Sequence, residues 1–196
     1  MVKNLAMKPF QSSFLSCEKD AEIILKKLFI ESRPYSDDLK SLLVINTPDC
    51  LEYKTNPIYT QKLKEIGLKE LMEQGYIRLI PKLEFDEFSE VKSYILITFN
   101  NFTKNQKNPQ FRDCSVSFTI ITHTDNSDLG NYRIRPLKIA GYIDGILDNS
   151  RLTGIGTFQF LTCRQTIYDE NLSGYTLAYK AIHGSDDELP ESDKIV

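Results

Sequence analysis

A chain of 196 residues, 41% apolar and 26% charged, holds enough apolar material for a core and suits one globular domain, or one domain plus a modest N-terminal layer. Its net charge of −3 and pI near 5.5 exclude a global basic field of the kind that drives non-specific DNA binding, while leaving room for a local basic patch or a positively charged partner. No run approaches the roughly 18–20 apolar residues that span a bilayer, and no apolar core of signal-peptide length follows the two lysines of residues 1–14.

Residues 1–15 read as an irregular arm, with Phe10, Phe14 and Leu15 as docking groups for a neighbour or for the body. Ser16 is a fitting N-cap for a first helix, in which Ala21, Ile24, Leu25, Leu28 and Phe29 follow the i, i+3, i+4, i+7, i+8 spacing of one buried stripe. Arg33-Pro34 breaks it. Ser36 then caps a short second helix through Leu43, with Asp37 and Asp38 in the first turn, where the helix dipole favours negative charge.

Thr47-Pro48 ends that unit, and Asn56-Pro57 opens another helix with asparagine as cap and proline at the first helical position. Leu63, Ile66, Leu71 and Met72 form its apolar side; Gly67 weakens its middle and Gly75 suits its C-terminal cap. Tyr76 to Leu79 reads as a short strand ended by Pro81.

From Val91 the period changes to two. Val91, Ile95, Ile97 and Phe99 alternate with polar residues, as do Val116, Phe118 and Ile120, which predicts half-buried antiparallel strands. The polar stretch Asn100 to Arg112 is expected to be a long loop between them, and a second polar loop, Thr124 to Asn131, leads into a helix within Arg133–Asn149. In that helix Leu137, Ala140, Ile143 and Leu147 share a face, widened by Ile139 and Ile146. Asn149 to Gly156 reads as a turn. Strands Thr157 to Tyr168 and Gly174 to His183 flank a loop at Asp169 to Ser173, and Tyr175, Leu177 and Tyr179 fall on one face of the last strand.

The fold class is therefore α+β: a small antiparallel or mixed sheet of about four strands with a helix packed on one face, preceded by an N-terminal helical layer. The expected divisions are an arm at 1–15, a helical part at 16–90, an α+β domain at 91–183 and an acidic tail at 184–196.

The search for chemistry returns little. There is no G-x-x-x-x-G-K-S/T, and Gly154 and Gly156 do not open a helix after a strand. No G-x-S-x-G occurs. Pro48-Asp49 followed by Glu52-Tyr53-Lys54 superficially matches a metal-nuclease signature. That chemistry needs the two parts on paired strands so that oxygens converge on a cation, and three residues between proline breaks do not allow it. Cys17, Cys50, Cys114 and Cys163 are far apart, and neither His123 nor His183 has a cysteine within four residues, so reduced cysteines are expected and no metal or other cofactor. The histidines are expected to end strands. Asp144 and Asp148 read as a solvated helix face. Phe102, Lys104, Lys107, Phe111 and Arg112 compose a basic, aromatic loop able to stack bases and hold phosphates, although a solvated or interface loop is the plainer reading. Arg133 and Arg135 read as surface residues at the start of the helix, or as partners for acids on a neighbouring subunit.

One resemblance goes further. N-P-Q-F-R-D-C-S-V-S-F-T-I (Asn108 to Ile120), the helix R-I-R-P-L-K-I-A-G-Y-I-D-G-I-L, then G-T-F-Q-F-L, a polar turn and G-Y-T-L-A-Y-K-A-I-H-G make the block from Val91 to His183 similar to bacteriophage tail-terminator and tail-completion proteins of the lambda minor tail protein U type. The N-terminal 90 residues are longer and more helical than that family's short lead helix, which leaves open a terminator at the top of a long tail or a neck ring protein of a short-tailed phage. The resemblance implies a non-enzymatic virion protein, assembled in the host cytoplasm, that closes into a homo-oligomeric ring of roughly six or twelve copies by a head-to-tail contact. Its implied partners are the neighbouring neck or portal-adaptor and tail-tube proteins, and genome DNA passing through the lumen without sequence-specific binding; no membrane is implied. Subunit and ring contacts are then expected at Phe102, Lys104, Lys107, Asn108, Pro109, Phe111 and Arg112 in the first loop. Asn126, Asp128, Arg133 and Arg135 are expected at such contacts around the second. The competing readings are a small nucleic-acid-binding or nuclease-like protein using the basic loop, and a cytosolic regulatory domain with a small-molecule pocket.

Overall fold

Helix α1 (Cys17–Lys26) runs directly into a π turn (Lys27–Glu31), and the predicted stripe of Ala21, Ile24, Leu25, Leu28 and Phe29 is buried throughout. Each such aliphatic side chain contributes about 1.5–3 kcal/mol by leaving water. The computed structural model describes residues 17–79, 90–106, 112–152 and 156–183. The expected cap Ser16, the arm, Pro81 and the acidic tail lie outside the described residues.

Helix α2 (Tyr35–Val44) begins one residue before the expected cap. Ser36 lies inside it, buried, and its hydroxyl accepts the Ser32 N–H at 3.2 Å. The single helix expected after Asn56 is two: α3 (Pro57–Glu65) and α4 (Leu68–Glu73). Asn56 does cap α3, its Oδ1 accepting the Ile58 N–H at 3.0 Å. Gly67 is extended backbone between the two helices, and Glu70 Oε2 turns back to accept its N–H at 2.9 Å, which fixes the start of α4. Leu63, Ile66 and Leu71 are buried, whereas Met72 is exposed.

Strand β1 (Ile77–Arg78) is followed by β2 (Ser93–Lys104) and β3 (Arg112–His123). The two long strands take in residues 100–104 and Arg112 of the expected loop between them. A bulge between Asn100 and Thr103, with Asn101 at φ +53°, keeps the ladder going to Lys104 opposite Arg112. Helix α5 (Arg135–Leu147) buries Pro136, Ile139, Ala140, Ile143, Ile146 and Leu147. Leu137, expected inside, is 49% exposed, because the wider Ile139–Ile146 stripe sets the rotation of the helix. The predicted turn after α5 carries a two-residue ladder, β4 (Arg151–Leu152) with β5 (Gly156–Thr157). Strands β6 (Gln159–Ile167) and β7 (Leu172–His183) complete the chain. As expected, His123 and His183 end strands.

The main sheet has five strands rather than about four, in the order β1-β2-β3-β7-β6. The extra member is β1, parallel to β2; the other pairs are antiparallel. One apolar cluster joins Leu28, Leu39 and Leu42 of the helical layer to Ile143 of α5 and to Phe118, Leu177 and Tyr179 of the sheet. The helical part and the α+β part therefore share a core. A smaller cluster of Tyr94, Leu96, Ile121 and Leu172 stands apart from it. At Gly174 the strands approach so closely that a Cβ would lie 1.8 Å from the Ile120 carbonyl oxygen.

Candidate assembly surfaces

The anticipated contact residues divide between two places. Arg112 begins β3 and Asn126 follows its end, so the two sets stand at opposite ends of a 12-residue strand rather than on one surface. At the hairpin end, Lys104 is exposed and Arg112 half-buried, while Phe102 packs against the core. Asn105 Nδ2 donates to Asp113 Oδ1 at 2.6 Å, and Lys180 pairs with Asp113 at 3.3 Å, so an acid sits among these bases. Lys107, Asn108, Pro109 and Phe111 lie outside the described residues.

At the other end, Asp128 and Arg133 are exposed. Asp128 Oδ1 accepts the Gly130 N–H at 2.7 Å, and Arg133 Nε donates to the Gly130 carbonyl at 3.4 Å. Asn126 and Arg135 do not belong to a surface at all. Asn126 is buried, its amide donating to Asn46 Oδ1 at 3.1 Å and Ser93 Oγ at 3.4 Å. Arg135 is 0% exposed. Its Nη1 donates to the carbonyls of Leu42 and Ile45 at 2.8 Å, Nη2 to that of Thr47 at 2.7 Å, and Nε to that of Asn126 at 2.7 Å. Those first carbonyls are the unpaired acceptors at the C-terminal, negative end of α2, which explains how a guanidinium is held in the interior. Burial pushes the Arg135 group below its ordinary value, and the nearby Cys50 sulfur partly offsets this. The expectation of a surface arginine is corrected accordingly.

Two surfaces escaped the sequence reading. Strand β6 is the edge of the sheet; among the described residues no strand pairs with its outer side. It exposes Phe160 (45%), Leu161 (54%) and Ile167 (73%), an apolar edge of the kind that recruits another chain. The second is the outward side of α5 and the turn before it, where Tyr132, Ile134 and Leu137 are exposed. Beyond them Leu137, Gly141, Gly145, Tyr142 and Tyr35 line a shallow cavity of about 390 Å³. Tyr35 and Tyr142 rings lie 6.1 Å apart. The G-x-x-x-G spacing of Gly141 and Gly145 was the available signal, masked by the apolar residues that alternate with it.

Other polar groups serve packing. Asp38 accepts the hydroxyls of Tyr53 at 3.0 Å and Tyr142 at 2.9 Å, tying α2 to α5 and to the following turn. Tyr179 donates to Asp144 at 2.7 Å. Burial foremost, and then donation to a carboxylate, pushes all three phenols well above the ordinary range. Asp49 precedes and Glu52 ends a 3₁₀ turn (Cys50–Glu52), and Asp49 accepts the Tyr59 hydroxyl at 3.2 Å. Among the described residues no three His, Cys, Asp or Glu side chains are grouped to hold a metal ion, and no helix is long and apolar enough to cross a membrane. Cys50 and Cys163 are free thiols.

These features define a class: an α+β protein whose five-stranded mixed sheet shares its core with a helical layer and ends in an apolar edge strand. By sequence the chain belongs to the YomW family, whose profile matches residues 36–181. No curated protein matches it. Among solved structures, it is similar to a chain of the virion of a native gene transfer agent particle, at 11% identity and a TM-score of 0.38, over 78% of this chain and 100% of that one. It is also similar to a crystal structure from Akkermansia muciniphila, at 11% identity and a TM-score of 0.30, over 92% of this chain and 100% of that one.

Proposed function

We propose that this protein is a non-enzymatic structural component of a phage-type virion, a ring-forming protein of the head–tail junction. Copies of the chain associate into a closed ring, join tail to head and leave a passage for genome DNA. The observation that carries this reading is strand β6: nine residues at the sheet edge with Phe160, Leu161 and Ile167 in solvent. Among the described residues its outer side is unpaired, and its solvent-exposed apolar side chains, beside Arg164 and a register shift between Phe160 and Thr162, leave a template for association. The strand–strand–helix–strand–strand series that carries the sequence resemblance also occurs in one sheet, with α5 packed on β3 and β7.

Light scattering across a concentration series, with negative-stain imaging of the same samples, tests the proposal. A discrete species of roughly six or twelve times the 22.6 kDa chain, with an open centre, is expected. A chain that stays at 22.6 kDa throughout and binds duplex DNA with a steep salt dependence overturns it in favour of a nucleic-acid-binding protein.

A further inference from the structure

Between the π turn, α2, α3 and α4 lies a cavity of about 510 Å³ unrelated to either assembly surface. Its floor is apolar, from Phe29, Leu63 and Leu71, and its rim is basic, from Arg33, Lys40 and Lys64. The lining holds one acid, Asp37, already in reach of Arg33 at 3.9 Å. Glu70, close by, is taken by the Gly67 N–H. Lys40 donates to the Leu63 carbonyl, which fixes its ammonium at the mouth with two further N–H groups to offer. An apolar floor under three cations fits an acidic peptide carrying one bulky apolar side chain, since the anchor gains burial and the flanking carboxylates gain charge-assisted hydrogen bonds.

The chain supplies such a peptide. Residues 184–196 place Leu189 and Pro190 between Asp186, Asp187 and Glu188 on one side and Glu191 and Asp193 on the other. We infer that this cavity is the docking site for the acidic segment 184–196, with Leu189 as anchor on the Phe29–Leu63–Leu71 floor. The inference is independent of ring formation, because the cavity belongs to the helical layer of a single chain.

Carbodiimide coupling of carboxylates to amines in the full-length protein, read by peptide mass spectrometry, tests it. Cross-links from Asp186, Asp187, Glu188 or Glu191 are expected to concentrate at Lys40 and Lys64. Leu189→Asp, which replaces the proposed apolar anchor by a charge, is expected to reduce them roughly tenfold. Mixing light and heavy isotope-labelled copies reports whether the segment comes from the same copy or another; both support docking. Cross-links spread evenly over exposed lysines such as Lys19, Lys54 and Lys104, or undiminished in Leu189→Asp, overturn it.

Discussion

Arg135 Nη1 donates to the carbonyl of Leu42 at 2.8 Å across 93 positions of sequence. That bond, with those to Ile45, Thr47 and Asn126, fastens the helical layer to the first turn of α5. Replacing Arg135 by methionine keeps volume but strands three buried carbonyls and the half-buried one of Thr47. Arg135→Met is expected to destabilise the protein by about 3–5 kcal/mol in denaturant titrations. Arg135→Lys is expected to recover only part of this, because one ammonium cannot span carbonyls that a planar fork reaches together. Unfolding midpoints equal to wild type for both would refute the fastening role.

Alkaline stability follows from the buried phenols. Burial pushes Tyr94 up to about 12, and Tyr53, Tyr142 and Tyr179 are raised further by burial and donation to carboxylates. A raised folded-state value favours the neutral phenol in the native state. The contribution is therefore complete below the ordinary tyrosine range near pH 10 and is lost as pH climbs towards and past 12. Tyrosinate absorbance is expected to rise in two phases, the second coincident with loss of near-ultraviolet dichroism. A single phase near pH 10 with the fold intact would contradict these environments.

Gly174 is required by the approach of β7 to β3. A methyl group there would meet the Ile120 carbonyl at 1.8 Å, and backbone cannot swing aside as a side chain can. Gly174→Ala is expected to cost about 3 kcal/mol, seen as a lowered denaturation midpoint. A variant as stable as the parent would mean that the strands are spaced differently.

The edge strand can be tested without disturbing the core. Leu161→Lys and Ile167→Lys place charge on exposed positions, so their effect on chemical stability is expected to stay within about 0.5 kcal/mol. Scattering mass is expected to fall towards that of the single chain. Unchanged assemblies in the double variant would move the contact away from β6.

Much of this fold was readable where one physical signal dominated. The Ala21–Phe29 stripe, the Asn56-Pro57 start and the alternation through Ile95–Phe99 and Val116–Ile120 each mark an element whose local preference and burial agree. The strand from Asn100 to Lys104 was not legible, because apart from Phe102 its residues are polar and exposed and carry no alternation. Arg135 was misread because its burial depends on carbonyls delivered by a helix end about ninety residues away. Of the anticipated contacts, Asp128, Arg133 and Lys104 do reach solvent. The apolar edge of β6 was hidden in a segment whose composition is that of any half-buried strand.

Among the described residues the sheet's two borders are unequal: nine residues at β6 against two at β1. Continuation of the sheet from one copy to the next thus has one adequate donor and no matching acceptor of equal length. Two β6 borders laid side by side would satisfy each other about a twofold axis and stop at a pair. A larger closed assembly using this border must bring to it something other than a second border, either an extended segment or the helical flank of the adjacent copy. A closed ring built through this border alone therefore needs a directional, head-to-tail joint.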